Sequence, residues 1–295
     1  MTKKRTYDST RTRCLLLLTA AALMTSCTAV RTDPGAQALA SSISVPTAES
    51  REVESCRVLF DVAPAALAAE LGLNTDEIRV VSWNMQKKSI PNWRADYSRL
   101  TDGRDLILIQ EASLRVDTVG DLPAAPHWSF APGYRTDDSI SGVLTLSSIQ
   151  PLARCSFVNI EPFLRTPKAT SITQFALQDH DETLLVVNVH AVNFSLGLGS
   201  YKRQFAQIID VLEGHQGPII LSGDLNTWRA GRTQTIDAMA EELKLVAIEF
   251  SDDNRTRFFG SPLDHIYVRG LSATSSDSSV VTSSDHNPLT VTLSL

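Results

Sequence analysis

Six segments of this chain share one pattern, in which an apolar run or a tight turn ends in polar side chains. Four are apolar runs that end in an amide, a carboxylate or an imidazole, at 78–84, 106–111, 184–190 and 218–226, and two shorter segments follow at 262–265 and 284–288. Short apolar runs bounded by polar or turn residues are typical of buried β-strands. The pattern therefore predicts a sheet protein whose polar groups gather at one rim, where an α/β protein is expected to bind its ligand.

The remaining periodicity indicates helices between the strands. Strands are predicted at 78–83, 106–109, 142–146, 171–177, 183–190, 218–222, 264–268 and 289–293. Segment 201–213 carries apolar residues at helical spacing and is followed by Gly214, which predicts a helix and its end. A second, weaker helix is predicted at 235–243. Helices between strands favour an α/β layered fold.

The first 26 residues are typical of an export signal. They combine five basic residues with an apolar run of about ten residues, which is too short to span a bilayer. Thr25 and Ser26 then precede Cys27, the order found in bacterial lipoprotein signals. We expect a signal peptide at 1–26, lipidation of Cys27, a flexible tether at 27–50 and one domain at 51–295. The alternatives are an ordinary secretory signal or a short buried helix.

An exported lipoprotein would lie in the cell envelope, anchored in the cell membrane or outer membrane and facing the periplasm or the exterior. Segment 1–26 also carries one acidic residue, so its removal changes the formal charge of the chain from −6 to −10. An acidic surface does not favour duplex DNA, whose binding depends on cationic contacts with phosphates. Net charge thus weighs modestly against a dedicated nuclease.

Two cysteines remain after Cys27 is assigned to the anchor and Cys14 to the signal peptide. An even pair in an exported protein predicts a disulfide between Cys56 and Cys155. The alternative is two free buried thiols.

The polar groups at the predicted rim indicate metal-assisted hydrolysis. Carboxylate and amide oxygens are hard ligands, which suit Mg²⁺, Mn²⁺ or Ca²⁺ better than Zn²⁺ or copper. A hard cation beside paired histidine and aspartate favours attack of water on a phosphate ester, because the cation offsets charge on the phosphoryl oxygens and a base polarises the water. Any one of these short motifs alone is more often a turn or a helix cap.

Together, the segments resemble the motifs of the endonuclease/exonuclease/phosphatase superfamily, and the resemblance spans about 78–295. The matching segments are Trp83-Asn84, Gln110-Glu111, Asn188-Val189-His190, Gly223-Asp224-Leu225-Asn226, Asp264-His265 and Ser284-Asp285-His286. Segments 189–195 and 260–264 are most similar to the YafD-like bacterial branch. The fold implied is a four-layer α/β/β/α sandwich of two β-sheets flanked by helices, as in DNase I.

The resemblance implies a metal site and a catalytic base. Glu111 would bind the metal, with Asn84 beside it and Asp285 helping to hold it. His286 would be the general base on the attacking water, oriented by Asp264.

The resemblance also implies groups that act on the substrate. Asp224 and Asn226 would position the nucleophile and the phosphate, and His190 would hydrogen-bond a phosphoryl oxygen or assist the leaving group. Asn193, three residues after His190, would contact the phosphate. Arg229 is a further candidate for substrate binding because of its position just past the Asp224 loop. The expected substrate is a phosphate ester in a nucleic acid, a lipid headgroup or a small molecule, and the chain is expected to be a monomer.

Several readings stay open at this stage. His265 is expected to be structural, because it alternates with Asp264 along a strand and points to the opposite face. Trp228, Arg229 and Arg232 follow the Asp224 loop and either bind an anionic substrate or lie on the surface. The alternative function is a non-catalytic cell-envelope lipoprotein that retains the fold for binding.

Overall fold

The computed structural model describes residues 48–61, 72–115, 125–195 and 197–295. The predicted signal peptide and Cys27 lie outside these residues. A first strand, Ala48–Ser50, falls within the segment predicted as a tether, so the sheet begins three residues before the predicted start of the domain. In the described residues, no helix has the length and apolar character needed to cross a membrane.

Two β-sheets form the centre of the described fold. One has seven strands in the order β1 (Ala48–Ser50), β6 (Ala153–Ile160), β7 (Pro167–Ala176), β8 (Thr183–His190), β9 (Ile219–Asp224), β13 (Asp264–Arg269) and β10 (Val246–Ala247). The other has six strands in the order β14 (Ser272–Ser278), β15 (Leu289–Ser294), β2 (Ile78–Asn84), β3 (Leu106–Arg115), β5 (Ser139–Ser147) and β4 (His127–Arg135). Each of the eight predicted strands overlaps one of these.

Smaller elements surround the sheets. A two-stranded ribbon consists of β11 (Arg257–Phe258) and β12 (Ser261–Pro262). The helices are α1 (Val53–Asp61), α2 (Trp93–Thr101), α3 (Gly199–Leu212) and α4 (Ala230–Leu243), and a 3₁₀ turn spans Gln86–Lys88. The predicted helix at 201–213 corresponds to α3, and the one at 235–243 covers the second part of α4.

Alternation along the strands divides the core into layers. Ile78 and Val80 of β2 pack with Val186 of β8 in a cluster between the two sheets. Val81, the residue after Val80, faces the other way and packs against α2. Val187 likewise belongs to the cluster that α1, α3 and α4 form on the outer face of the seven-stranded sheet. Successive side chains of a strand point to opposite faces, so both sheets bury both faces. The predicted four-layer α/β/β/α sandwich is confirmed.

A disulfide joins Cys56 of α1 to Cys155 of β6, the pair expected from the sequence. The two Cα atoms are 5.6 Å apart, within the usual range for a disulfide, and the bridge spans 99 residues of sequence. Both side chains are buried in the cluster beneath the helices. The bridge therefore fixes the first helix to the edge of the seven-stranded sheet.

We expect the Cys56→Ala/Cys155→Ala double variant to lose about 2–4 kcal/mol of unfolding free energy, because it removes a long covalent loop constraint from the unfolded chain. Urea unfolding of both proteins, with and without a reductant, measures this. Reductant should destabilise the natural protein by a similar amount and leave the double variant unchanged. Equal stability of the two proteins under oxidising conditions would contradict the prediction.

Candidate active site

Three polar side chains form a row across the seven-stranded sheet. His190, the last residue of β8, pairs in register with Asp224, the last residue of β9. Asp224 pairs on its other side with Asp264, the first residue of β13. All three are buried, with exposed fractions of 7%, 3% and 3%. Each continues the series of residues that face the opposite sheet, so the strand alternation brings them together on one face.

Gly223 allows the close approach of β8 and β9 behind this row. A Cβ atom at this position would lie 2.0 Å from the carbonyl oxygen of Val189, a distance at which the backbone would have to move. Its φ of +144° is also a conformation that other residues rarely adopt. The glycine before Asp224 is therefore required for the register that pairs Asp224 with His190.

The six-stranded sheet contributes Asn84 and Glu111 from above the row. Asn84, the last residue of β2, donates from Nδ2 to Asp224 Oδ2 at 3.1 Å. Glu111 lies at an irregularity of β3 with a positive φ of 49°, which is uncommon for a residue other than glycine. Its Oε1 atom lies 3.6 Å from His190 Nε2. The two sheets thus present carboxylate and amide groups to the same space.

His286 is held by the loop before β15. The backbone N–H of His286 donates to Ser284 Oγ at 3.1 Å, and the hydroxyl of Ser284 donates to the Asn84 carbonyl at 2.6 Å. Trp83 Nε1 donates to the His286 carbonyl at 2.9 Å. The ring of His286 bonds through Nδ1 to Asp264 Oδ2 at 2.7 Å. Its other nitrogen, Nε2, lies 4.0 Å from Asp224 Oδ2.

Asn226 closes the loop that follows Asp224. It has a positive φ of 51°. Its N–H donates to Asp224 Oδ1 at 3.1 Å, and its Nδ2 donates to the Ala191 carbonyl at 3.2 Å. These two bonds place Asn226 beside Asp224 and tie together the loops after β8 and β9.

The charged groups of the site and their burial shift the pKa values of His286 and Asp224. Burial alone would lower the pKa of His286, but the carboxylates of Asp264 and Asp224 outweigh it and raise the pKa to about 10. Burial raises the pKa of Asp224 to about 6, with His286 opposing the rise and Asp264 adding to it. The two carboxylates therefore stabilise the charged form of the His286 ring.

Lys168 is a member of the site that the sequence did not reveal. Its Nζ lies 2.8 Å from His190 Nε2, although Lys168 belongs to β7 and no motif surrounds it. Burial lowers the pKa of His190 well below the ordinary value, and the charge of Lys168 acts in the same direction. His190 is therefore neutral, and its Nε2 accepts a hydrogen bond from the ammonium group.

The donor set of the site fits a hard cation. Asp224, Asp264 and His286 offer ligand atoms within 4.8 Å of one another. Asp264 and His286 are already hydrogen-bonded to each other. A carboxylate oxygen of Asp224 and one of Glu111 each lie 3.6 Å from His190 Nε2. The raised pKa of Asp224 shows that a buried negative charge is disfavoured there, and a dication bound to oxygen ligands would offset that cost.

Three predicted site residues lie outside this central group. The side chain of Asp285 is exposed, with Oδ1 3.5 Å from Ser284 Oγ, and its role as a metal ligand stays a prediction. Asn193 Oδ1 accepts from Trp228 Nε1 at 2.9 Å. Arg229 donates to the Gly197 carbonyl at 2.6 Å and lies over the ring of Trp228. Contact of Asn193 and Arg229 with substrate stays a prediction.

Two neighbouring residues are structural. Arg232 has no exposed surface and donates to the carbonyls of Val192, Asn193 and Asn226, so it neither binds substrate nor lies on the surface. His265 faces away from Asp264, as its alternation predicts. Its Nε2 lies 2.7 Å from Thr227 Oγ1, and burial lowers its pKa to about 4. It therefore stays neutral and supports the loop after β9.

The sandwich fold with these polar groups at the ends of its central strands defines a protein of the phosphoester hydrolase type. The sequence matches the Endonuclease/Exonuclease/phosphatase family over residues 81–286, and the chain belongs to that family. Members of this family generally hydrolyse phosphate esters and usually use a divalent metal.

Similar proteins support the same family and branch. The chain is 37% identical to the UPF0294 protein VV2535 of Vibrio vulnificus over 74% of its own length and 77% of that protein. It is 39% identical to a UPF0294 protein of Klebsiella pneumoniae over 75% of its own length and 84% of that protein. These relatives confirm the expected YafD-like branch.

Solved structures confirm the fold. The endonuclease/exonuclease/phosphatase of Beutenbergia cavernae superposes with a TM-score of 0.57 at 16% identity, covering 75% of this chain and 72% of that one. The catalytic domain of human Nocturnin with a bound sulfate anion superposes with a TM-score of 0.55 at 16% identity, covering 76% of this chain and 96% of that one.

We predict that His286 titrates far above 6.5 in the metal-free protein and that Mg²⁺ lowers its pKa, because a cation offsets the carboxylates that favour imidazolium. Since the raised pKa favours the charged ring in the folded state, this contribution to stability is complete below about 6.5 and is lost as the pH rises through about 10. NMR titration of the histidine rings measures both values. Asp264→Asn should lower the metal-free pKa. A metal-free pKa near 6.5, or one that Mg²⁺ leaves unchanged, would contradict the prediction.

Proposed function

We propose that this chain is a metal-dependent phosphoesterase in which His286 takes a proton from the water that attacks phosphorus. One observation carries the proposal. The hydrogen-bonded pair of His286 and Asp264 lies beside the buried row of His190 and Asp224, at the strand ends of a phosphoesterase fold.

The hydrogen bond to Asp264 sets the role of the His286 ring. Since the carboxylate accepts from Nδ1, the neutral ring carries its proton there and leaves the Nε2 lone pair free. Nε2 and Asp224 Oδ2 are 4.0 Å apart, so one water between them can bond to both. Asp224 then orients the water, and Nε2 accepts its proton as the oxygen attacks phosphorus.

Glu111 and Asn84 would hold a cation on the other side of Asp224. A bound Mg²⁺, Mn²⁺ or Ca²⁺ supplies positive charge that stabilises the phosphoryl oxygens during attack. Glu111 provides a carboxylate for this purpose, and Asn84 orients Asp224 through its hydrogen bond.

The remaining polar groups suit the phosphate itself. The Lys168 ammonium donates to Nε2 of the neutral His190 and can also donate to an anionic oxygen, which it stabilises by charge and hydrogen bonding together. Asn226, fixed by its bonds to Asp224 and Ala191, adds a neutral amide at the same rim. We propose that Lys168 and Asn226 bind the non-bridging oxygens of the phosphate and stabilise charge that develops on them, and that His190 positions the Lys168 ammonium.

Two substitutions separate the metal from the base. Glu111→Gln should lower activity mainly by weakening the metal, so excess Mg²⁺ or Mn²⁺ should recover part of the loss. His286→Ala should lower the rate by roughly 10²–10⁴, and added metal should not restore it, because a base is missing. Steady-state hydrolysis of generic phosphodiesters and phosphomonoesters by the purified domain, at several metal concentrations, measures both. The exposed residues Glu213 and His180 provide matched controls as Glu213→Gln and His180→Ala.

Two outcomes would overturn parts of this proposal. Equal activity with and without a chelator would remove the metal-dependent mechanism as a whole. Chelator-sensitive activity that His286→Ala leaves intact would keep the metal and discard the base. Binding without turnover of any phosphate ester would favour the alternative of a non-catalytic envelope protein.

We also propose that the chain is an exported lipoprotein, cleaved before Cys27 and anchored there. The proposal is supported by the basic and apolar segments before Ser26 and Cys27, and by the Cys56–Cys155 disulfide, since such bonds persist mainly in oxidising compartments. Mass spectrometry of the native protein should find an N-terminal lipid-modified Cys27. An intact Met1, or an unmodified Cys27, would contradict the proposal.

A further inference from the structure

An apolar groove lies beside the candidate active site. Its volume is about 450 Å³, and its lining comes from the turn between β6 and β7 and from the loops after β8 and β9: Phe163, Leu164, Asn193, Phe194, Ser195 and Trp228. Phe163, Leu164 and Phe194 each leave half or more of their surface exposed. Large apolar side chains from separate segments that converge on one exposed surface indicate a binding site.

The groove offers few hydrogen-bonding groups to a ligand. Asn193 Oδ1 already accepts from Trp228 Nε1 at 2.9 Å. The hydroxyl of Ser195 donates to the Gly197 carbonyl at 3.1 Å. Since these polar atoms are bonded within the protein, the part of a ligand that enters the groove is apolar.

The apolar surface continues along the ribbon of β11 and β12. Phe258 packs edge-on against Trp228, with ring centroids 6.3 Å apart, and Phe259 lies 4.4 Å from Phe258. Phe259 is 82% exposed. The groove and ribbon therefore form one aromatic surface at the rim of the site, large enough to contact a chain of several methylene groups.

One buried residue connects the groove to the phosphate-binding groups. Glu161 Oε1 accepts from the N–H groups of Asn193 and Phe194 at 2.7 and 3.2 Å, and lies 3.9 Å from Lys168 Nζ. Lys168 in turn contacts His190. When the phosphate of a ligand lies at His190, the group attached to that phosphate can therefore reach the groove.

We propose that the groove binds the alkyl or acyl chain of a lipid phosphate ester whose phosphate occupies the site at His190 and Asp224. The inference rests on the proposed phosphoesterase function and names its substrate class. The charges nearby favour a lipid over a polynucleotide. Arg257 forms an ion pair with Asp253, Arg229 donates to a backbone carbonyl, and the whole chain is acidic.

Alkylphosphonates of increasing length, from methyl to hexyl, test the inference without requiring turnover. Titration calorimetry in the presence of Mg²⁺ should show affinity rising roughly three- to fourfold for each methylene group that the groove buries. The Phe163→Ser/Phe194→Ser double variant should bind methylphosphonate like the natural protein but lose most of the dependence on length. Val246→Ser, at an exposed apolar residue of β10, provides the matched control and should keep it.

The outcomes separate this inference from the proposed function. Hydrolysis of soluble phosphate esters together with an affinity that is independent of alkyl length would overturn the inference and leave the phosphoesterase standing. A clear dependence on length without any hydrolysis would support the groove and overturn the proposed reaction. Affinity that is independent of length, with binding of single-stranded oligothymidylate that the double variant loses, would assign the aromatic surface to nucleobases and overturn the lipid proposal.

Discussion

A pair of buried amides joins the two sheets directly beneath the candidate active site. Gln110 Nε2 donates to Asn188 Oδ1 at 2.8 Å, and Asn188 Nδ2 donates to the Leu144 carbonyl at 3.0 Å. Neither amide has exposed surface, so the loss of a partner would leave a polar group unpaired in the core, at a cost of about 1–3 kcal/mol. The hydrogen bond between Gln110 and Asn188 fixes one sheet against the other. It lies close to the site because Glu111 follows Gln110 and His190 comes two residues after Asn188.

The same alternation that builds the core also builds the site. The inward-facing positions of β8, β9 and β2 are apolar at the start of each strand, and the last one is the site residue, at His190, Asp224 and Asn84. The position before it is small or amide, at Asn188, Ser222 and Ser82. A slip of one residue in a strand would turn its apolar side chains and its site residue to the opposite face together. Folding stability therefore enforces the position of these groups, although burying carboxylates among them is unfavourable by itself.

The sequence predicted the elements in which apolar alternation is strong and the site residues that end them. The elements it missed include α1, α2, β4, β6 and β14. The residues of β14 are mostly serine, threonine and alanine, and its pairing with β15 comes from tertiary context. It placed the start of α4 too late, because the first turn contains Gly231 and lacks an apolar face. The contact of Lys168 with His190 and the burial of Arg232 were not predictable, since an isolated basic residue is usually exposed and only the folded chain gives these two residues their partners.

Two buried charged residues hold the loops that form the sides of the candidate active site. Arg232 donates to carbonyls of the loops after β8 and β9, and Glu161 accepts from the N–H groups of Asn193 and Phe194. Charge-assisted bonds to backbone are strong, and a buried charge that loses its partners is strongly unfavourable, so these bonds hold the loops in place. The sheets thus fix the row that includes Asp224, while separate side chains fix the loops. The loops carry the exposed aromatic residues, whereas the strand ends carry the polar groups. Substitutions in the loops can therefore change substrate preference without moving His190, Asp224 and Asp264.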